Sequence, residues 1–372
     1  MSVLKFYAGK RVLVTGLTGF KGVWLGSWLT RLGAKVVGLS LAPDDGMQAG
    51  WPGLNDQLTN HAVDIRDFAA VQQVFQAEQP EVVFHLAAQP LVRKSYREPV
   101  ETFATNVQGT VHVLEAARQT SSVQSVVVVT SDKCYENREW SWGYRENEAM
   151  GGHDPYSASK GCAEIVTSAF RRSYGGRLAS VRAGNVIGGG DWSEDRLVPD
   201  LIRAVLGNKP LKLRNPSAVR PWQHVLEPLS GYLLVGAQLQ HGARYADGWN
   251  FGPSEVRAWT VGEVARKLIE LNGSGEIVDA SDPNAPHEAH LLRLDSTKAA
   301  AELGWSPLLS IEDRLSWTLD WYRAWHRRPE SVWQTTTSQI EQYEQRIAQC
   351  TRLAARWCPA SPASSAPRLQ VA

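Results

Sequence analysis

The sequence predicts an α/β fold: a doubly wound parallel sheet carrying a smaller C-terminal substrate-binding lobe. Three observations predict it. Short, β-rich apolar runs alternate with helix-patterned segments through the first half, which is how strands buried on both faces and their crossover helices read. A glycine-spaced turn, Gly16-Leu17-Thr18-Gly19-Phe20-Lys21-Gly22, follows the first of these strands and opens a helix. From about Gly184 the alternation gives way to glycine, proline and charged loops with shorter helices.

The apolar runs place strands at 11–15, 35–41, 61–65, 82–86, 125–130 and 178–182, with helices over 19–32, 100–118 and 155–174 between them. Asp154 stands as the N-cap of the last helix and Pro155 at its first position, a residue order that suits a helix start. In the second half, helical spacing recurs over 225–240, 261–271 and 311–325. These features divide the chain into 1–184 for the core of the sheet domain, to which later segments can return, 185–330 for the second lobe and 331–358 for a helical extension. The Pro, Ser and Ala of 359–372 are too poor in apolar surface to order themselves, so a disordered tail is expected.

Composition narrows the function. The chain has 372 residues and a formal net charge of +1 with both signs interspersed, so there is no basic stripe for nucleic acid. No apolar run has the length of a membrane span or a signal peptide, and a cytoplasmic protein with a small-molecule partner is expected. Cys134, Cys162, Cys350 and Cys358 show no metal-type pairing, so no metal site and no disulfide are expected.

Two clusters carry the chemistry. Tyr156 and Lys160 stand four apart on a helix and share a face, so the ammonium is expected beside the phenol, lowering its pKa. Such a pair oxidises alcohols. Ser131-Asp132-Lys133, at the end of the buried strand 125–130, adds a proton donor and a proton acceptor, which elimination of water requires. Oxidation coupled to elimination therefore fits better than oxidation alone. Gly16, Thr18, Gly19, Phe20 and Gly22 would let backbone N–H groups reach a pyrophosphate at the helix N-terminus. Asp64 and Ile65 fall where adenine would lie, and Leu86, Ala87 and Ala88 offer small side chains beside a dinucleotide. After the second strand stands Ser40-Leu41-Ala42-Pro43, with carboxylates only at Asp44 and Asp45. The usual ribose-gripping acid is missing from its place, and weak NAD affinity is expected. His85 and Cys134 read as core residues.

Taken together, the glycine loop, Leu86-Ala87-Ala88-Gln89, Asn106 read as opening a helix, and Tyr156/Lys160 resemble the extended short-chain dehydrogenase/reductase superfamily, whose fold is Rossmann-type. Within it, Thr130-Ser131-Asp132-Lys133-Cys134-Tyr135-Glu136-Asn137 and Arg220-Pro221-Trp222-Gln223-His224-Val225-Leu226-Glu227 are similar to the CDP-sugar branch of the nucleotide-sugar 4,6-dehydratases. Relatives acting on dTDP-glucose carry Asp-Glu where this chain has Asp132-Lys133. Inverting UDP-N-acetylglucosamine dehydratases share the lysine but lack the tyrosine. Leu17 departs from close relatives, which often have histidine there.

The resemblance implies NAD as cofactor, with Asn106, Tyr156 and Lys160 among its contacts, and CDP-glucose as substrate. It implies Ser131, Asp132, Lys133, Tyr156 and Lys160 as the catalytic set, and a homodimer or tetramer built on the helices 100–118 and 155–174. Asn185 corresponds to a position facing substrate. Arg214 and Arg220 are cations for a diphosphate, with Lys212 and Arg196 also near, although those two fit a solvated surface better. Leu197, Val198 and Leu213 would read the base through backbone groups, with His224 nearby. An epimerase or reductase on this fold would not need Asp132-Lys133, and a catalytically silent dinucleotide sensor would need none of the catalytic set.

Overall fold

The computed structural model describes residues 2–42, 58–254, 259–282 and 291–358. Six strands follow the apolar runs: β1 (Arg11–Thr15), β2 (Lys35–Ser40), β3 (Thr59–Ala62), β4 (Val82–His85), β5 (Ser125–Val129) and β6 (Leu178–Arg182). A seventh, Gly248–Asn250, returns from the second half to pair with β6. From that edge the order runs β6, β5, β4, β1, β2, β3, and every neighbouring pair is parallel. The direction of winding reverses between β4 and β1. In such sheets a ligand crevice opens beyond the strand ends at that reversal.

Every residue of β4, β5 and β6 is buried, because helices cover both faces. One apolar cluster fills one face with Leu13, Val83, Val126 and Val128. The alternate residues Val12, Val14, Phe84, Val127 and Val129 face the other, larger cluster, which runs on into Trp249, Trp305, Trp321 and Trp357. The helix Leu226–Gln238 is buried at every position and largely apolar on all sides, with Glu227 and Ser230 among the buried exceptions, held by hydrogen bonds. Three short strand pairs, Val186–Ile187 with Gln223–His224, Leu211–Leu213 with Ile277–Asp279, and Val219–Arg220 with Trp259–Thr260, frame the second half.

The last described helices pack back on the first half of the chain. Helices Val332–Gln349 and Thr351–Trp357 bring Tyr343 and Trp357 against Trp28, at ring separations of 5.8 and 5.3 Å. The Trp28 indole also donates to Glu344 (2.9 Å), and Trp28 belongs to the helix Phe20–Arg31 that the glycine loop opens.

Three expectations need correction. The third strand occupies 59–62 instead of 61–65, because the Asp64 carboxylate accepts the Arg66 N–H (2.9 Å) and turns the chain before Ile65. The helix expected over 100–118 is Pro99–Phe103 and Gly109–Gln119 joined by a π-helical turn, Ala104–Gln108. Asn106 therefore lies in mid-helix and does not open one. The seventh strand is too short, and its Gly248 too permissive, to stand out as an apolar run. Asp44, Asp45 and the tail 359–372 lie outside the described residues.

Candidate active site

A cleft of about 280 Å³ opens at the strand ends, between the sheet and the second half. Ser131, Asp132, Lys133 and Tyr156 line it from the sheet side. Beyond Thr130 the chain makes one 3₁₀ turn, Asp132–Cys134, in which the Ser131 hydroxyl accepts the Lys133 N–H (3.2 Å) and donates to Asp132 Oδ1 (3.0 Å). Asp132 is buried and its Oδ2 has no hydrogen-bond partner among the described residues. Burial raises its pKa, against the lowering effect of Lys133, Ser131, Arg220 and Lys21. A proton on this acid is thereby favoured. Gly184 explains how the carboxyl fits: a Cβ at that position would lie 1.8 Å from Asp132 Oδ2.

Tyr156 and Lys160 belong to the helix Pro155–Tyr174, opened by Asp154, whose Oδ1 accepts the Ser157 N–H (2.9 Å). Both side chains are buried. The expected lowering of the phenol by Lys160 is not what the geometry gives. Burial pushes Tyr156 up to about 12, and the groups that pull it back are Ser131, by a hydrogen bond, and the Arg196 charge. The Lys160 ammonium donates instead to the Val129 carbonyl (3.4 Å), and burial brings it down to about 8, with Cys134 and Glu164 opposing. Glu164, one turn further along the helix, accepts from Thr130, Ser180 and the Nε and Nη2 of Arg182, which locks the helix to β5 and β6.

The glycine loop is built for close backbone approach. Gly16 has φ +71°, and a Cβ there would meet Ala87 N at 2.8 Å. At Gly22 a Cβ would lie 2.0 Å from the Gly16 carbonyl oxygen. Gly19 opens the helix Phe20–Arg31 with no side-chain bond, leaving its first N–H groups without a side-chain cap. This cradle fits a dinucleotide pyrophosphate. Thr18 donates from its N–H to Ser40 Oγ (3.4 Å) and from its hydroxyl to the Leu41 carbonyl (3.3 Å), tying the loop to the end of β2. Phe20 is buried, with its ring facing Gly188. Leu17 is a core residue, touching Gly26 and Gly38. Asn106 holds the turn after β4, accepting the Gln89 N–H (2.7 Å) and donating to the Gln89 carbonyl (3.0 Å).

The remaining candidates divide. Asn185, Leu197, Val198, Lys212, Arg214 and Arg220 line the cleft. Asn185 does so with φ +40°. Arg196 lines it too, paired with Asp191 at 2.9 Å, so it is a cleft residue and not a solvated surface charge. Arg214 pairs with Asp195. His224 does not reach the cleft: its ring is fully buried between Trp24 and Trp317, 5.8 and 5.7 Å away. Gln223 beside it is buried as well, so this short strand, paired with Val186–Ile187, lies in the core. Asp64 is engaged by Arg66, the Ile65 side chain packs on Gly109 in the core, and the Ile65 carbonyl lies 2.9 Å from His112 Nδ1. Lys21 is the residue the sequence reading missed. It lines the cleft, and burial, with the Arg196 and Lys160 charges, brings it down to about 7.

The fold, the uncapped glycine-loop helix, and the meeting of Ser131–Lys133 with Tyr156 define a dinucleotide-binding protein of the short-chain dehydrogenase/reductase type. The GDP-mannose 4,6 dehydratase family model matches residues 13–317. The chain belongs to that family. It is 52% identical over 333 residues to the CDP-glucose 4,6-dehydratase of Salmonella typhimurium, covering 87% of this chain and 93% of the relative. With the dTDP-glucose 4,6-dehydratase of Streptomyces antibioticus it shares 32% identity, over 70% of this chain and 75% of that one. Among solved structures it is similar to the Streptomyces venezuelae dTDP-glucose 4,6-dehydratase with NAD and TYD bound, at TM-score 0.73 and 27% identity, covering 84% and 98% of the two chains.

Proposed function

We propose that this chain is an NAD-dependent hydro-lyase that converts CDP-D-glucose to CDP-4-dehydro-6-deoxy-D-glucose and water. The observation that carries the reading is a buried acid with a partnerless oxygen, Asp132, beside Lys133 in the cleft that also holds Tyr156. An epimerase has no use for that acid–base pair. The 52% identity to a relative named for CDP-glucose supports the choice of base.

NAD, held at Gly16, Gly19, Gly22, Ala87 and Asn106, supplies when bound the two-electron oxidation of C4 and its reversal at C6. Tyr156 takes the C4 hydroxyl proton, and the Ser131 hydrogen bond and Arg196 charge favour its phenolate. The 4-ketone acidifies the C5 proton, which Lys133 removes. Asp132 gives its proton to the departing C6 hydroxyl, so water leaves and the C5–C6 double bond forms. As C6 is reduced, Lys133 returns a proton to C5. Arg196, Arg214 and Arg220 face the diphosphate, and Leu197, Val198 and Leu213 face the base.

Exposed Val100, Ile165 and Tyr174 on the helix segments expected to pair, 83%, 60% and 61% accessible, support a homodimer or a pair of dimers. No described helix is long and apolar enough to cross a membrane, and a cytoplasmic site of action accords with this chemistry. The test is a panel of nucleotide-glucoses with catalytic NAD in deuterated water. CDP-glucose should give a 4-keto product carrying deuterium at C5 with no net NADH; epimerised sugar without loss of water would refute the reading.

A further inference from the structure

His85 ends β4, is fully enclosed, and takes no part in the mechanism above, yet both its ring nitrogens are bonded. Nδ1 lies 2.7 Å from Thr15 Oγ1, and Nε2 lies 3.1 Å from Thr110 Oγ1. The neighbours fix the direction of each bond. Thr15 Oγ1 already accepts the N–H groups of Leu86 and Ala87, both at 3.1 Å, which fills its two lone pairs. Its own proton must therefore go to Nδ1. Thr110 Oγ1 spends its proton on the Asn106 carbonyl (2.7 Å), so it can only accept from Nε2–H. One tautomer satisfies all four bonds, the neutral ring protonated at Nε2. Burial and the nearby Lys160 ammonium bring the imidazole down to about 3, which keeps it neutral.

The two ends of this chain lead to different halves of the site. Through Thr15 it holds the Leu86-Ala87 backbone, whose Ala87 abuts Gly16 of the glycine loop. Through Thr110 it reaches Asn106 in the π-helical turn. Asn106 Nδ2 donates to Ser159 Oγ (2.9 Å), and Ser159 donates to the Tyr156 carbonyl (2.7 Å). We propose that His85 is a positioning residue whose single tautomer sets the cofactor-facing turn and the tyrosine-bearing helix in register with each other. An apolar side chain would fill the same core space but connect neither end. The inference rests on the proposed function only for its turnover readout, since cofactor binding is measured separately.

The test uses the full-length chain and two variants that each keep one end. His85→Asn retains an acceptor near Thr15, and His85→Gln retains a donor near Thr110. NAD affinity is read by titrating tryptophan fluorescence, and kcat for CDP-glucose is read at saturating NAD. We expect His85→Asn to keep NAD affinity and lose kcat about tenfold, and His85→Gln to lose NAD affinity about tenfold and keep kcat, the scale of one lost hydrogen bond. Thr110→Val should match His85→Asn, and Thr110→Ser should restore kcat. Parallel loss of both quantities in the two histidine variants, or wild-type values in His85→Phe, would overturn the proposal. Should the histidine variants not fold, an unchanged kcat in Thr110→Val would overturn it. A wild-type chain that binds NAD but does not dehydrate CDP-glucose would instead refute the function and leave the NAD-affinity arm standing.

Discussion

Asp132 and its surroundings fit the acid role that we propose for it. Its carboxyl is buried, half-bonded, and seated in space that exists only because residue 184 is glycine. Gly184→Ala should therefore push the acid aside while leaving the glycine loop intact. We expect dehydration to fall at least about a hundredfold, the scale on which a positioned acid contributes, with NAD affinity unchanged by titration; undiminished turnover would contradict the fit. The pH dependence follows from the direction of its shift. Burial raises the Asp132 pKa, so the proton we propose it donates is present at low pH and is lost as pH rises through that value. Tyr156, pushed up to about 12, gains base form in the same direction. Rapid-mixing absorbance should show C4 oxidation speeding up with pH while water loss slows. Identical profiles for the two steps would contradict these assignments. Sequence spacing brought Asp132, Lys133, Tyr156 and Lys160 into view because two short motifs carry them. Lys21 and Gly184 stayed hidden because their importance lies in what faces them from distant strands. His224 was misplaced for the opposite reason: proximity to Arg220 along the chain says nothing about whether a ring lies in the cleft or in the core.

At the scale of elements, the helix Pro155–Tyr174 is more than a carrier of Tyr156 and Lys160. Glu164 and Arg182, each with 4% of the side chain exposed, form a buried ion pair bonded to Thr130 and Ser180 as well. It fastens the helix to the strand ends that deliver Asp132. Because the carboxylate carries the whole network, Glu164→Gln should destabilise the chain by about 3–5 kcal/mol through the charge left on Arg182. The midpoint of urea unfolding measures this; a change below about 1 kcal/mol would mean that Arg182 finds water. The helix itself was legible from Asp154, Pro155 and its apolar spacing. The π-helical turn at Ala104–Gln108 was not, since an added residue in one turn leaves the helical pattern of the sequence nearly intact. Its effect is local and chemical: it presents Asn106 to Gln89 and Ser159 at once.

For the whole molecule, the parallel sheet was legible because its central strands β1, β4 and β5 are nearly continuous apolar runs, whereas Gly248–Asn250 could not be picked out as the segment that returns to its edge, because three residues carry no periodicity. Nor does any motif announce that the last helices fold back on the first. Trp28 is completely buried between Tyr343 and Trp357, which makes the helices Val332–Gln349 and Thr351–Trp357 a support for the helix that the glycine loop opens. Trp28→Ala should cost about 3–5 kcal/mol, as large aromatic truncations in a core do. Calorimetry or denaturant unfolding checks it, and a cost near zero would show that the terminal helices are not integral to the fold. The account as a whole turns on the division of labour between Lys133 and Asp132 after C4 is oxidised. Single-turnover absorbance and mass spectrometry of CDP-glucose in deuterated water, on Lys133→Ala and Asp132→Asn, test it most directly. In both variants NADH should form and persist without loss of water, with C5 exchange absent in Lys133→Ala and retained in Asp132→Asn; dehydration at the wild-type rate in either variant would contradict the mechanism.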